Sequence, residues 1–312
     1  MKIMPTGLWV WPWRLRKNGV LGINERNLSY LFELNPRSLY RFADDKIVTK
    51  EICKKQGIPV PQTYAVIKRF GDLRNLERII GERREFVIKP ANGTGGRGVL
   101  VIVGRKGSLF KMAKGQMISL SDLRYHISTT LSGLYSLGER SDSVIVERRI
   151  VPHPLFEKLA VAGTPDIRII LFRGSPVIAM LRLPTLASKG RANLHQGAAA
   201  AGIDLKTAQT LGGVYRNRAI TVHPDTGAAI GGITIPAWDR MLETAKKLSE
   251  VMKMGYIGVD IVLDAHHGPV VLEVNARPGL SVQIANRSGL LPRLKITNAQ
   301  PFPGNSHKPA LQ

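Results

Sequence analysis

Two apolar segments near the C-terminus, GVDIVLD and PVVLEVNA, flank the short turn AHHG, and this pattern reads as an antiparallel hairpin. Three oxygen-bearing side chains interrupt it: Asp260 on the first strand, Glu273 and Asn275 on the second. Glu273 and Asn275 are two positions apart and share one face. A turn centred on His266 and His267 pairs Asp264 with Pro269, and the same register sets Asp260 opposite Glu273. Carboxylates so placed among Val259, Ile261, Val271 and Leu272 repel each other and resist desolvation unless a cation lies between them. Oxygen-only donors select a hard cation, and magnesium with nucleotide phosphates completing its coordination suits the set. The alternative is the solvated outer face of a hairpin, against which the Val, Ile and Leu on both strands argue.

Upstream, the strand EFVIKP runs into the loop ANGTGGRG. Gly93, Gly95 and Gly98 satisfy the spacing of a dinucleotide fingerprint, with Gly96 among them, but that fingerprint must open a helix. Here the loop enters VLVIVG, an apolar β-branched segment, so it joins two strands. Successive backbone N–H groups of a glycine-rich tip approach an anion closely, and Lys89 at the end of the preceding strand reaches the same oxyanions. A mobile hairpin tip with a surface lysine is the competing reading of these residues.

Between these motifs, strands (SVIVERRI, DIRIILFRG, PVIAMLRL) interleave with helices (from Asp44 and Asp45 to Gly57, Leu73 to Ile80, Trp238 to Met252). Leu123, Ile127, Leu131 and Leu134 mark one further amphipathic helix. Adjacent hairpins predict an α+β fold with antiparallel or mixed sheets. Residues 1–45 read as irregular. Trp9, Trp11 and Trp13 alternate, so an extended segment there would set them on one face, either over a core edge or at a membrane interface beside Arg14, Arg16 and Lys17. The lone Cys53 excludes an internal disulfide framework and reads as a small buried hydrophobe. No apolar run reaches the ~18 residues of a membrane span, and the N-terminus lacks a signal cleavage site, so the expected location is cytoplasmic. The net charge of +22 admits nucleic acid, an anionic membrane surface or an acidic substrate as partner, although no nucleic-acid motif is present.

Taken in order, DDK, FVIKPANGTGGRGV, DIR, RANLHQG, GVDI and LEVNARPGL, spanning about residues 44–290, resemble the α-L-glutamate ligase (RimK-like) group of ATP-grasp enzymes. The resemblance implies two α+β lobes gripping ATP between their sheets. These would be a lobe at 46–146 with an insertion at 104–143 and a lobe at 147–292 with an insertion at 202–236. A short N-terminal region (1–45) would precede them and a mobile tail (293–312) follow. It implies that Lys46 and Lys89 contact ATP phosphates under the Gly93–Gly98 loop and that Glu147 and Arg148 form the adenine-contacting hinge. Asp166 would lie near the nucleotide, Arg168 on phosphate, and Arg191 and Asn193 at phosphates and metal. Asp260, Glu273 and Asn275 would hold magnesium, as two ions, with manganese as a substitute, and Arg277 would lie near the reacting phosphoryl group. Both insertions would shape the acceptor site.

The implied chemistry is attack of a carboxylate on the γ-phosphate, then of an amine on the acyl phosphate. An amino acid such as glutamate would be joined to an amino-acid, peptide or anionic acceptor. The alternatives are a phosphotransferase of the same fold and a basic module that binds nucleic acid or membrane.

Overall fold

The structure, a computed structural model, describes residues 10–298 except 94, 114, 137–139 and 162. The stretch expected to be irregular is instead a string of short helices. They are α1 (Pro12–Lys17), α2 (Ile23–Arg26), a π-helical turn Asn27–Leu31, α3 (Phe32–Leu34), a 3₁₀ turn Arg37–Leu39 and α4 (Arg41–Asp44). None is long enough to show a helical period in sequence, and packing supplies what periodicity does not: Leu21 and Leu31 are buried against the second sheet. Trp11 precedes α1 and Trp13 lies within it, with their rings stacked at 4.7 Å. At 50% and 62% exposure they do not cover a core edge, contrary to expectation. Trp9 lies outside the described residues.

Helix α5 (Lys46–Lys55) starts where Asp45 accepts hydrogen bonds from the Ile47 and Val48 backbone N–H groups at 2.8 and 3.4 Å. Cys53 is fully buried on it, and burial pushes its thiol up to about 11. The first sheet then forms in the order β1 (Thr63–Ile67), β6 (Val144–Glu147), β2 (Phe86–Pro90), β3 (Leu100–Lys106), β4 (Leu109–Met112), β5 (Met117–Ile118). The Leu73–Ile80 helix is shorter than expected, a 3₁₀ turn Phe70–Asn75 followed by α6 (Leu76–Ile80). Helix α7 (Leu120–Leu131) is capped by Ser119 and buries Leu123, Ile127 and Leu131 against this sheet. Leu134 lies beyond its end and is exposed, so it does not continue the apolar stripe.

The second sheet has the order β11 (Arg218–Ile220), β10 (Thr210–Tyr215), β9 (Ala199–Ile203), β8 (Ser175–Leu183), β7 (Asp166–Phe172), β12 (Tyr256–Asp264), β13 (Gly268–Asn275). Every strand pair in both sheets is antiparallel. The 202–236 stretch becomes an edge of this sheet, at the side away from β13. Helix α8 (Trp238–Met252) covers one face, burying Met241, Ala245 and Leu248 against Ile167, Ile169, Val259 and Ile261. Helices α9 (Ser281–Asn286) and α10 (Leu291–Asn298) cover part of the other, with Val282, Ala285 and Leu294 beside Ile170, Phe172, Ile178 and Tyr256. Part of the tail expected to be mobile is therefore the packed helix α10; residues 299–312 lie outside the described residues.

The alternation of strand side chains puts Asp166, Arg168, Arg182, Asp260, Glu273 and Asn275 on this second face, beyond the end of its apolar half. Asp260 does stand opposite Glu273, and Gly258 opposite Asn275. The turn is tighter than expected, with Asp264 paired to Gly268 and Leu263 to Pro269; a bulge between Asp260 and Ile261 shifts the register by one and restores the carboxylate pair.

Asn35 ties the N-terminal helices to this sheet. Its side-chain amide donates to the Tyr256 and Ala276 carbonyls at 2.6 and 2.8 Å, and its oxygen accepts from the Tyr256 N–H at 3.0 Å. The residue is buried, so Asn35→Ala leaves backbone groups unsatisfied and is expected to lower unfolding stability by about 2–4 kcal/mol, read as a reduced urea midpoint.

Candidate active site in the cleft between the sheets

A cleft of about 690 Å³ separates the two sheets. Its walls meet where the chain leaves β6: Ala265 donates its N–H to Val151, and His153 to Leu263, at 2.8 and 2.9 Å. Arg148 reaches Asp264 at 3.1 Å. Asp264 also accepts from the backbone N–H groups of His266 and His267 and from the His267 ring. Burial would raise its carboxyl, but these donors hold it down at about 2. The histidines therefore belong to the turn that joins the walls.

On the first wall, Glu147 is buried between two lysines. Lys89 lies 2.5 Å from one carboxylate oxygen, and Lys50 is paired with the other. Burial alone would raise the Glu147 carboxyl, but the charges of Lys89 and then Lys50 hold it below the usual range. Lys50 bears the cost: burial, and the positive charge of Lys89, lower its ammonium to about 8 despite the attraction of Glu147. Sequence reasoning passed over Lys50. Its spacing of four from Lys46 puts both on α5 one turn apart, which was a legible signal. Lys46 donates to the Gly93 carbonyl at 2.6 Å.

The glycine loop is held from outside the cleft by the 104–143 stretch. The Asp142 carboxylate, itself buried, accepts from the Asn92 backbone and side chain and from Ser136. His126 contacts the Gly98 carbonyl at 3.0 Å. Gly98 has φ +70°, and a Cβ there would stand 2.5 Å from the Tyr135 ring, so only glycine fits. The loop reaches across to the second lobe: Gln196 donates to the Gly95 carbonyl at 3.2 Å, and Arg191 reaches Gln196 at 3.3 Å.

On the second wall, Asp260 takes a bidentate hydrogen-bonded pair from Arg168 at 2.7 and 2.6 Å and a third bond from Arg182 at 2.8 Å. Arg182 also pairs with Asp166. Burial works against both carboxylates; the two arginines nonetheless depress Asp260, while Asp166, which also faces the charge of Asp260, is raised. Arg182 is a second residue missed by motif reading. The period-two pattern of PVIAMLRL puts it on the face of Met180, and only the strand order brings it beside Asp166. Asn275 donates to Asp260 at 3.3 Å. Glu273, directly opposite Asp260, is half-buried and lines the cleft.

Lys46, Lys89, Gly93, Gly95, Gly96, Glu147, Arg148, Asp166, Arg168, Arg191, Asn193, Asp260, Glu273 and Asn275 all line this one cleft. Gly98 and Arg277 do not. Arg277 pairs with Asp44 at 2.8 Å and stacks over the Tyr40 ring. No residue of 202–236 lines the cleft among the described residues, but Asp225 accepts from the Leu186 N–H at 2.8 Å and His223 contacts the Pro184 carbonyl at 3.1 Å, beside the lining segment 189–195. Val87, Val101, Val103, Ile150 and Leu272 give the cleft an apolar section beside Glu147 and Arg148.

Among the described residues no group of three or more His, Cys, Asp or Glu side chains is arranged to hold a metal by itself. Two carboxylates and an amide oxygen on adjacent strands fit a hard cation whose remaining positions are filled by a phosphate ligand and water.

Several known proteins are similar to this chain. A probable alpha-L-glutamate ligase of Alcanivorax borkumensis is 24% identical over 290 residues, covering 91% of this chain and 73% of the relative. A probable alpha-L-glutamate ligase of Hahella chejuensis is 24% identical over 262 residues, 84% of this chain and 64% of the relative. The chain spans 61% of the length of a third such relative, from Ectopseudomonas mendocina. Among solved structures, the D-cycloserine synthetase DcsG superposes with a TM-score of 0.47 at 16% identity, over 83% of this chain and 71% of that one. The profile described as sugar-transfer associated ATP-grasp matches residues 25–299. The chain therefore belongs to the sugar-transfer associated ATP-grasp family.

Proposed function

We propose that the protein is an ATP-dependent ligase that joins a carboxylate to an amine through an acyl phosphate. The observation that carries this reading is the cleft itself. Lysines and an adaptable glycine loop stand on one wall, arginines with oxygen donors on the other, and an apolar slot lies at the hinge between them. Such a cleft suits a base at one end and a polyphosphate at the other.

In this reading the adenine lies against Val87, Val101 and Leu272, beside Glu147 and Arg148. Lys46 and Lys89 bind phosphate oxygens while Gly93, Gly95, Gly96 and Gly98 let the loop close over them. Arg168, Arg191 and Asn193 hold the terminal phosphoryl group in line with the attacking carboxylate oxygen, with Asp166 orienting the nucleotide end. Asp260, Glu273 and Asn275 would hold magnesium, which neutralises phosphate oxygens when bound. Arg277, two residues from Asn275, approaches the reacting group by exchanging its pairing with Asp44.

Transfer of the γ-phosphoryl group to the carboxylate breaks the bond to the bridging oxygen and leaves ADP. The amine then adds to the acyl carbon and phosphate departs with the C–O bond. The residues contribute positioning and charge. Glutamate, after the relatives, is the first amino acid to test. Peptides follow as acceptors, and anionic acceptors with them because the chain carries +22.

Incubation with ATP, amino acids and these acceptors is expected to yield an amide with ADP and phosphate, detected by mass spectrometry. A stable phosphorylated product without amide would assign a phosphotransferase instead. Glu273→Gln is expected to lower magnesium-dependent turnover at least ~100-fold while the melting temperature stays unchanged, since the residue is half-buried at the cleft wall.

In this reading Lys89 turns from Glu147 toward a phosphate, and Lys50 keeps the carboxylate balanced when it does. Lys50→Met is therefore expected to weaken ATP binding about tenfold, the scale of one charge-assisted hydrogen bond. Its ammonium is depressed to about 8, below the ordinary lysine value, so it is charged below that pH and neutral above it. Wild-type ATP affinity is expected to fall as pH rises through about 8, and this decline is expected to be absent in Lys50→Met, measured by nucleotide titration at fixed magnesium.

A further inference from the structure

The cleft leaves one bulk property unused, the basic excess, and one region without a role, the N-terminal helices. Among the described residues, seven of the eighteen exposed large hydrophobic side chains fall between Val10 and Phe32. Single exposed hydrophobes are ordinary, but such a concentration is not. Trp13 is 62% exposed, Ile23 61%, Leu28 62% and Phe32 57%. No residue of α1 is buried.

The segment is nonetheless firmly attached behind this surface. Leu291 donates its N–H to the Gly19 carbonyl at 2.9 Å, and Gln283 exchanges two hydrogen bonds with the Leu21 backbone at 2.8 and 3.0 Å. The helices between Ile23 and Leu34 bury Arg26 and Leu31 inward and turn Ile23, Leu28 and Phe32 outward, a spacing that the π-helical turn permits.

Charge is distributed to match. Arg14, Arg16, Lys17, Arg37 and Arg41 are exposed along this stretch, against Glu25 and Glu33. Glu25 is already paired with Arg16 at 3.1 Å. Arg37 stacks over the Phe32 ring, so a cation and an aromatic face stand together. Stacked indoles with an apolar body and a polar N–H favour the headgroup boundary of a bilayer, and arginines beside them favour its phosphates. No described helix is long and apolar enough to cross a membrane.

We infer that the segment from Val10 to Arg41 docks the protein on an anionic membrane surface. Trp13, Leu15, Ile23, Leu28 and Phe32 enter the interfacial layer, and Arg14, Arg16, Lys17, Arg37 and Arg41 meet lipid phosphates. A nucleic-acid partner would engage the same cations but would leave the aliphatic side chains without a role. This inference stands apart from the proposed ligase chemistry, because none of these residues lines the cleft.

The test is sedimentation of the full chain with vesicles of phosphatidylglycerol mixed with phosphatidylcholine, against phosphatidylcholine alone. Binding to the mixed vesicles only, released by salt and accompanied by a blue shift of tryptophan emission, is expected. The double variants Trp13→Ser/Leu15→Ser and Arg14→Glu/Arg16→Glu are each expected to lower partitioning at least about tenfold, the combined scale of two basic contacts or two inserted side chains. Their melting temperature and ATP turnover are expected to stay unchanged. Three results would overturn the inference: no partitioning into the mixed vesicles, partitioning indifferent to both variants, or duplex DNA displacing the vesicles from the protein. Self-association without vesicles that Trp13→Ser/Leu15→Ser abolishes would overturn it too, assigning the surface to a second copy.

Discussion

Four charges on one face of the second sheet, the buried Asp166, Arg182 and Asp260 and the half-buried Arg168, set the terms for the site. Two carboxylates removed from water must each find a partner, and Arg182 serves both. The result is a braced wall of alternating charge across β8, β7 and β12. The apolar half of the same face packs against α9 and α10. Removing one partner from such a network leaves an uncompensated buried charge, which costs far more than the net gain from the pair. The wall is therefore braced along this side of the cleft.

The first sheet solves the matching problem with the opposite sign. One carboxylate, Glu147, is shared by two lysines, so the group carries surplus positive charge on the cleft wall. Lys89 is oriented at the cleft wall by this shared partner. The glycine loop follows the same logic. Asp142, Ser136 and His126 hold its two ends outside the cleft, and between them the Gly93 and Gly95 carbonyls accept from Lys46 and Gln196.

The basic excess separates into two populations. In the cleft, Lys89, Arg148, Arg168 and Arg182 are paired with carboxylates, while Lys46 and Arg191 meet a carbonyl and an amide oxygen instead. Those between Arg14 and Arg41 are mostly free of acidic partners and stand among exposed aromatic and aliphatic side chains.

Much of the site could be read from the chain because its signals are local. A two-residue spacing settles which face Glu273 and Asn275 share, and a β-branched segment after Gly98 settles that the loop joins strands. The Asp45 cap likewise marks the start of α5. Other features depend on groups far apart in sequence. The bulge at Asp260 arises from how two strands fit together, and it reached the expected carboxylate pair through a turn one residue tighter than spacing suggested. Lys50 meets Glu147 across 97 positions, and Arg182 meets Asp260 across 78. The N-terminal helices have too few turns to show a period and take their form from Asn35 and Leu31 docking on the sheet. Local spacing and side-chain chemistry thus determined which residues carry the phosphate- and cation-binding groups that the cleft brings together. Burial, through the pairings it compels, decided which of them hold one another in place.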